Sequence, residues 1–118
     1  MRKTIDASVQ VLSSRLTVLE VHRAIVRAEK QAEVSAADAG RVRGTFTRIA
    51  RSWIICELSA DILDRAAKDF PIEPVRSRDA IHLAASLWLL RVFPDLHVLS
   101  FDGRVASNAE ALGIPLAG

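Results

Sequence analysis

Two rhythms of hydrophobic and polar positions alternate along the chain. Val9-Gln10-Val11-Leu12-Ser13 is short, apolar and β-branched, which predicts a strand. Ser13-Ser14 then offers capping hydroxyls. From Arg15 to about Glu33, Val18, Val21, Ile25, Ala28 and Ala32 recur at helical spacing. Thr17 and Glu20 also fit a capping box. Ser35 and Asp38 form a second such box, opening a helix to about Ala50. Within it Gly40 and Gly44 each cost about 1 kcal/mol relative to alanine.

The same alternation continues to the end. Trp53–Leu58 reads as a second strand, and Ser59 caps a helix over about Ala60–Asp69 that stops before Pro71. A loop with two prolines follows. Ser77 then caps a helix over Arg78–Leu90 that is apolar nearly all round, the signature of deep burial. Pro94-Asp95 breaks it. Leu96–Phe101 is a third strand, Asp102 caps a helix over Gly103–Leu112, and Gly113 suits the position just past its end. Ile114-Pro115-Leu116 is a short last strand whose proline suggests a sheet edge.

Strands alternating with helices imply an α/β fold with a mostly parallel sheet flanked by helices. Ligands of such sheets gather at the carboxyl ends of the strands. Acids just after a strand, or in the early turns of a helix, are therefore the candidates for chemistry.

Composition bounds the picture. The 118 residues suit a single domain, 1–118, able to bury roughly 65% of its unfolded surface. Hydrophobic residues at 50% and charged residues at 25% exclude disorder for most of the chain. The single cysteine, Cys56, excludes an internal disulfide and a cysteine-built zinc site. No apolar run is as long as a membrane span, and the basic start Met1–Lys3 has no apolar stretch after it, so a cytoplasmic location is expected. The first half, residues 1–59, carries 10 Lys/Arg against 6 Asp/Glu; the second half carries 6 against 8. Of the basic residues 13 are Arg, which favours bidentate contact with phosphate or carboxylate. The net charge of +2 is too small to indicate nucleic acid by itself.

Three acids meet the positional test. Glu20 lies in the second turn of the first helix, Asp79 in the first turn of the apolar helix, and Asp102 directly after the third strand. Three carboxylates from separate elements suit a hard cation such as Mg²⁺ or Mn²⁺. Each also has a structural reading: Glu20 closes a capping box with Thr17, Asp79 complements a helix dipole, and Asp102 is an N-cap.

Several segments together resemble a known family. Ser14–Ala24, with Glu20 at its centre, looks like the second acidic motif of PIN-domain ribonucleases of the VapC-like toxin type. Arg78-Asp79-Ala80-Ile81-His82-Leu83-Ala84-Ala85-Ser86 resembles that family's DAxHLAxA motif. Val98–Val105 resembles its fourth motif, a strand followed by Ser/Thr-x-Asp and a basic residue. Leu58–Ala66 and Ala109–Leu116 also fit. The resemblance implies a PIN-like three-layer fold and a Mg²⁺- or Mn²⁺-dependent endoribonuclease, in which a metal-activated water attacks an RNA phosphodiester. It implies that Glu20, Asp79 and Asp102 hold the metal and that Ser100 positions a water. Arg104, just after Asp102, is by its place a candidate contact to an RNA phosphate. It further implies a cognate antitoxin protein and a homodimer.

One departure stands against this pattern. Family members begin with a central strand ending in an aspartate that supplies the first metal ligand. Thr4-Ile5-Asp6-Ala7-Ser8-Val9 has that look, but too few residues separate Asp6 from the Val9–Ser13 strand for a parallel crossover, which needs about a dozen. Either Asp6 is a coincidence or the N-terminus has been rebuilt. In the first case the chain lacks roughly 20–30 residues carrying the first strand. This motivates an alternative: a catalytically impaired PIN-like binding or dimerisation module. A receiver- or phosphatase-like domain would want acids after Val9–Ser13, where serines stand.

Other residues have bland readings. His82 shares a helical face with Asp79 and suits packing or hydrogen bonding more than metal ligation. Arg41, Arg48 and Arg51 share a face that is either solvated or follows an RNA backbone. Trp53 and Trp88 suit core or interface, and Cys56 an inert buried thiol.

Overall fold

The structure, a computed structural model, describes residues 11–97 and 103–116, apart from the side chain of Arg104. The order of elements is β1 (Leu12–Ser14), α1 (Arg15–Lys30), α2 (Ala36–Ala50), β2 (Ile54–Cys56), α3 (Ala60–Ala66), α4 (Ser77–Val92) and α5 (Gly103–Ala111). The chain is thus α/β. Its described strands β1 and β2 pair in parallel, Leu12 opposite Ile54 and Ser14 opposite Cys56, joined by a crossover through the α1–α2 hairpin. Asp6, the start of the expected first strand and most of the expected third strand lie outside the described residues. Of the expected last strand, only Leu116 makes a β-bridge.

Local chemistry explains most of the boundaries. Ser14, Ser35 and Ser59 cap α1, α2 and α3, each accepting from the backbone N–H three residues on. The expected box of Thr17 with Glu20 does not form. Ser14 takes the cap position, and Thr17 supplies the amide that it accepts. Ser77 is likewise not a cap. It is the first residue of α4; Arg76 stands at the N-cap and makes no side-chain capping bond. Both α1 and α5 end in a Schellman turn. At α5, Ile114 N–H donates to Ala109 and Gly113 N–H to Glu110, with Gly113 at φ 78°. At α1, Glu33 N–H donates to Ala28 and Ala32 N–H to Glu29, with Ala32 in the same left-handed region at φ 58°. The helical periodicity through Ala32 therefore runs past the true end of the helix, Lys30.

The core centres on α4, as its all-round apolar pattern predicts. Its Ala80 and Leu83 pack with Phe70, Val105, Ala109 and Ile114, while Ala84, Ala85 and Leu89 pack with Cys56 of β2 and Ile62 of α3. Trp88, on the same helix, is 40% exposed and belongs to neither cluster. Asn108 of α5 is fully buried, and its amide ties both backbone groups of Ile72, at 2.8 and 2.9 Å. Glu73 accepts from the N–H groups of Phe70 and Val75, so the two-proline loop is held at both ends. Arg65 lies 4.4 Å from the ring centre of Phe70. Cys56 is buried as expected, and burial, reinforced by neighbouring Glu57, pushes its thiol pKa up, which keeps it protonated and unreactive.

The α1–α2 hairpin stands apart from this core. Ile25 and Ala39 are its buried residues. At its base, Phe46 meets His22 and Trp53 edge-on, with centroids 5.6 and 5.7 Å away. The radius of gyration is 15.4 Å. No helix among the described residues is long and apolar enough to cross a membrane.

Candidate functional site

The site is built where α1 passes the start of α4. β1 delivers the chain into α1 at Ser14, and Glu20 follows in the second turn, roughly 9 Å along the helix axis. α4 begins after the clamped loop, which sets Arg78, Asp79 and His82 within its first two turns. Glu20 is the meeting point. Its Oε1 lies 2.6 Å from His82 Nε2, and its Oε2 lies 3.3 Å from Arg78 Nε. A carboxylate accepts, so Nε2 of His82 carries the hydrogen. The same Arg78 Nε is 3.6 Å from Asp79 Oδ1. Two carboxylates from separate helices therefore share one cationic nitrogen.

Burial differs sharply across the cluster. The Asp79 side chain is 12% exposed, Glu20 31% and His82 29%, whereas Arg78 is 63% exposed. The acids are set into the fold and the guanidinium covers them from the solvent side. Asp79 also lies in the first turn of α4, where the helix dipole favours an anion. That position supports its structural reading without competing with a ligand role.

Sequence expectations meet this geometry unevenly. Glu20 and Asp79 come together, and His82 makes a hydrogen bond to Glu20. Ser100 and Asp102 lie outside the described residues, as does the Arg104 side chain. Among the described residues no group of three His, Cys, Asp or Glu is close enough to hold a metal. Arg78 is not among the residues that a positional test on acids singles out. A cation in the first turn of a helix sits at the unfavourable end of the dipole, and that is itself a signal.

Other candidates fall away from the cluster. Arg41 pairs with Asp38, Arg48 donates to Thr45 within α2, and Arg51 is an exposed C-cap residue. His97 bonds the Asp95 carbonyl and His22 packs on Phe46. At the carboxyl end of the sheet, Arg15 forks onto Glu57 at 3.3 and 2.5 Å. That contact holds the Glu57 carboxyl below its ordinary pKa, mainly through the hydrogen bond.

A second feature is apolar. Val21, Ala24, Ile25 and Ala28 of α1 face Val34, Ala39 and Val42 across a groove of about 260 Å³. Leu19, Val42 and Ile49 of the hairpin are each more than half exposed. The described residues thus define an α/β chain with a carboxylate–histidine–arginine cluster and an apolar groove. Comparison with family models, with curated proteins and with solved structures found none that matches the chain.

Proposed function

We propose that the chain is a PIN-like, metal-dependent endoribonuclease of the VapC-like toxin type, with Glu20, Asp79 and Asp102 as metal ligands. One observation carries the reading: Glu20 and Asp79, on different helices, converge on a single cationic nitrogen. Two carboxylates that attract one cation are a donor set suited to Mg²⁺ or Mn²⁺, which prefer hard oxygen ligands. Such an ion, when bound, lowers the pKa of a coordinated water and offsets charge on a phosphate oxygen.

The chain's own residues supply the rest. His82 holds one oxygen of Glu20 by a 2.6 Å hydrogen bond and so fixes its orientation, leaving Oε2 for a cation. Asp79 is immobilised by burial at the start of α4. Asp102, and Ser100 as water-positioning hydroxyl, enter through the resemblance of Val98–Val105 to the family's fourth motif, and Arg104 as phosphate contact through its place just after Asp102. The PIN-like three-layer arrangement, a cytoplasmic location, an antitoxin partner and a homodimer go with the same reading. The open apolar groove and exposed Trp88 and Val92 support a protein partner. They equally favour a second reading, a binding or dimerisation module without catalysis.

The deciding measurement is cleavage of single-stranded RNA in Mg²⁺ or Mn²⁺ by wild type and by Asp79→Asn. The expected loss is about 100-fold or more, above what an outer-sphere change typically costs. Equal rates would remove Asp79 from the site. A folded wild type that cuts no RNA under either metal would shift the assignment to the binding module.

A further inference from the structure

The guanidinium of Arg78 stands between the two carboxylates assigned above to the metal, and the role inferred for it rests on that assignment. Its Nε lies 3.3 Å from Glu20 and 3.6 Å from Asp79, so one atom serves both acids. The strong mode of arginine–carboxylate pairing uses two nitrogens in a fork. Arg15 achieves that fork with Glu57, through Nε and Nη2; Arg78 touches both of its acids through Nε. Arg78 also sits in the first turn of α4, where the helix dipole disfavours a cation. Its side chain is 63% exposed, while Asp79 beneath it is 12% exposed. The acids are the more buried members of the cluster and the arginine the most exposed.

We propose that Arg78 is an internal placeholder cation. It neutralises Glu20 and Asp79 while no divalent ion is bound, and it must be displaced before one enters. Two partly buried carboxylates that face one nitrogen repel each other and lose hydration. A monovalent cation on a flexible stem relieves this and still yields to a doubly charged competitor. The consequence is that Arg78 sets the threshold concentration of divalent ion at which the site fills.

The test is a calorimetric titration with Mn²⁺ alone, without RNA, on wild type, Arg78→Ala, Arg78→Gln and Arg76→Ala. Arg78→Ala should bind Mn²⁺ about three- to tenfold more tightly at low ionic strength, because a positive charge a few ångströms from the ion is gone. The gain should shrink as salt is raised. Arg78→Gln, which keeps the length and loses the charge, should reproduce it. Arg76→Ala should change affinity much less, because it removes an equal charge that makes no contact with either acid. Unchanged or weaker binding in both Arg78 variants, with a wild type that binds Mn²⁺, would overturn the placeholder role alone. An equal gain in Arg76→Ala would reduce the effect to general charge and also overturn it. Absence of Mn²⁺ binding in every variant would overturn both this role and the metal-site assignment.

Discussion

Hairpin α1–α2 and helix α4 are both helical and both line the candidate site, yet they are held in different ways. The two hairpin helices bury Ile25 and Ala39 between them, while α4 buries Asp79, Ala80, Leu83, Ala84, Ala85 and Leu89. The hairpin packs through small side chains, and its facing valines leave an open groove. α4 packs on two sides, against α5 and the clamped loop on one and against β2 and α3 on the other. Burial of apolar area is the dominant favourable term in folding, so the two regions should differ in local stability. The site joins them: Glu20 comes from the loosely held partner, and Asp79, His82 and Arg78 from the tightly held one. Contacts across that joint, above all Glu20 to His82, are what bring the carboxylates together.

The comparison can be broken or sharpened by substitution. The largest effect is expected from truncating the two cores. Leu83→Ala should cost about 4 kcal/mol, because it opens a closed cavity inside α4's packing. Ile25→Ala should cost about 2 kcal/mol, the transfer cost without a sealed cavity, since its surroundings open onto the groove. Equal losses in urea denaturation would show that hairpin and body are packed alike.

A smaller effect of opposite sign is expected from Gly40→Ala. Gly40 lies inside α2, and nothing stands within 4 Å of where its Cβ would be. The helix should gain about 1 kcal/mol. Amide hydrogen exchange should slow in α1 and α2 and change little in α4; equal slowing throughout would mean that the hairpin opens only with the whole chain.

The smallest effect is expected from Ala32→Gly. Ala32 holds φ 58° in the α1 Schellman turn, where glycine avoids a steric cost. The gain should be about 0.5 kcal/mol, offset in part by the greater freedom of glycine in the unfolded chain. A loss of stability in thermal melts would show that the turn prefers alanine.

Much of the local structure was legible in the sequence because its causes are local. Ser35 and Ser59 cap the helices they precede, Gly113 takes the left-handed position after α5, and the unbroken apolar character of α4 marks the buried helix. Failures came where two local solutions were equally good. Ser14 and Thr17 both offered a cap for α1, and the chain uses Ser14 because the strand ends there in extended geometry, at φ −121° and ψ 161°. Ser77 looked like a cap for α4, but the helix begins one residue earlier than a cap at Ser77 allows. Ala32 continued the helical period of α1, yet the chain turns there.

The site divides along the same line. Sequence alone determined the type and local placement of the candidate residues: Glu20 and Asp79 are acids in early turns of helices, and spacing put His82 on the face of Asp79. Only the tertiary structure decided that Glu20, expected equally well to bond Thr17 beside it, reaches His82 sixty-two positions away. It alone revealed that Arg78 lies across both acids. The reason is physical. Capping and periodicity are set by bonds within a few residues, but a carboxylate takes whatever donors packing brings within about 3–4 Å, and that depends on how α1 and α4 settle against one another.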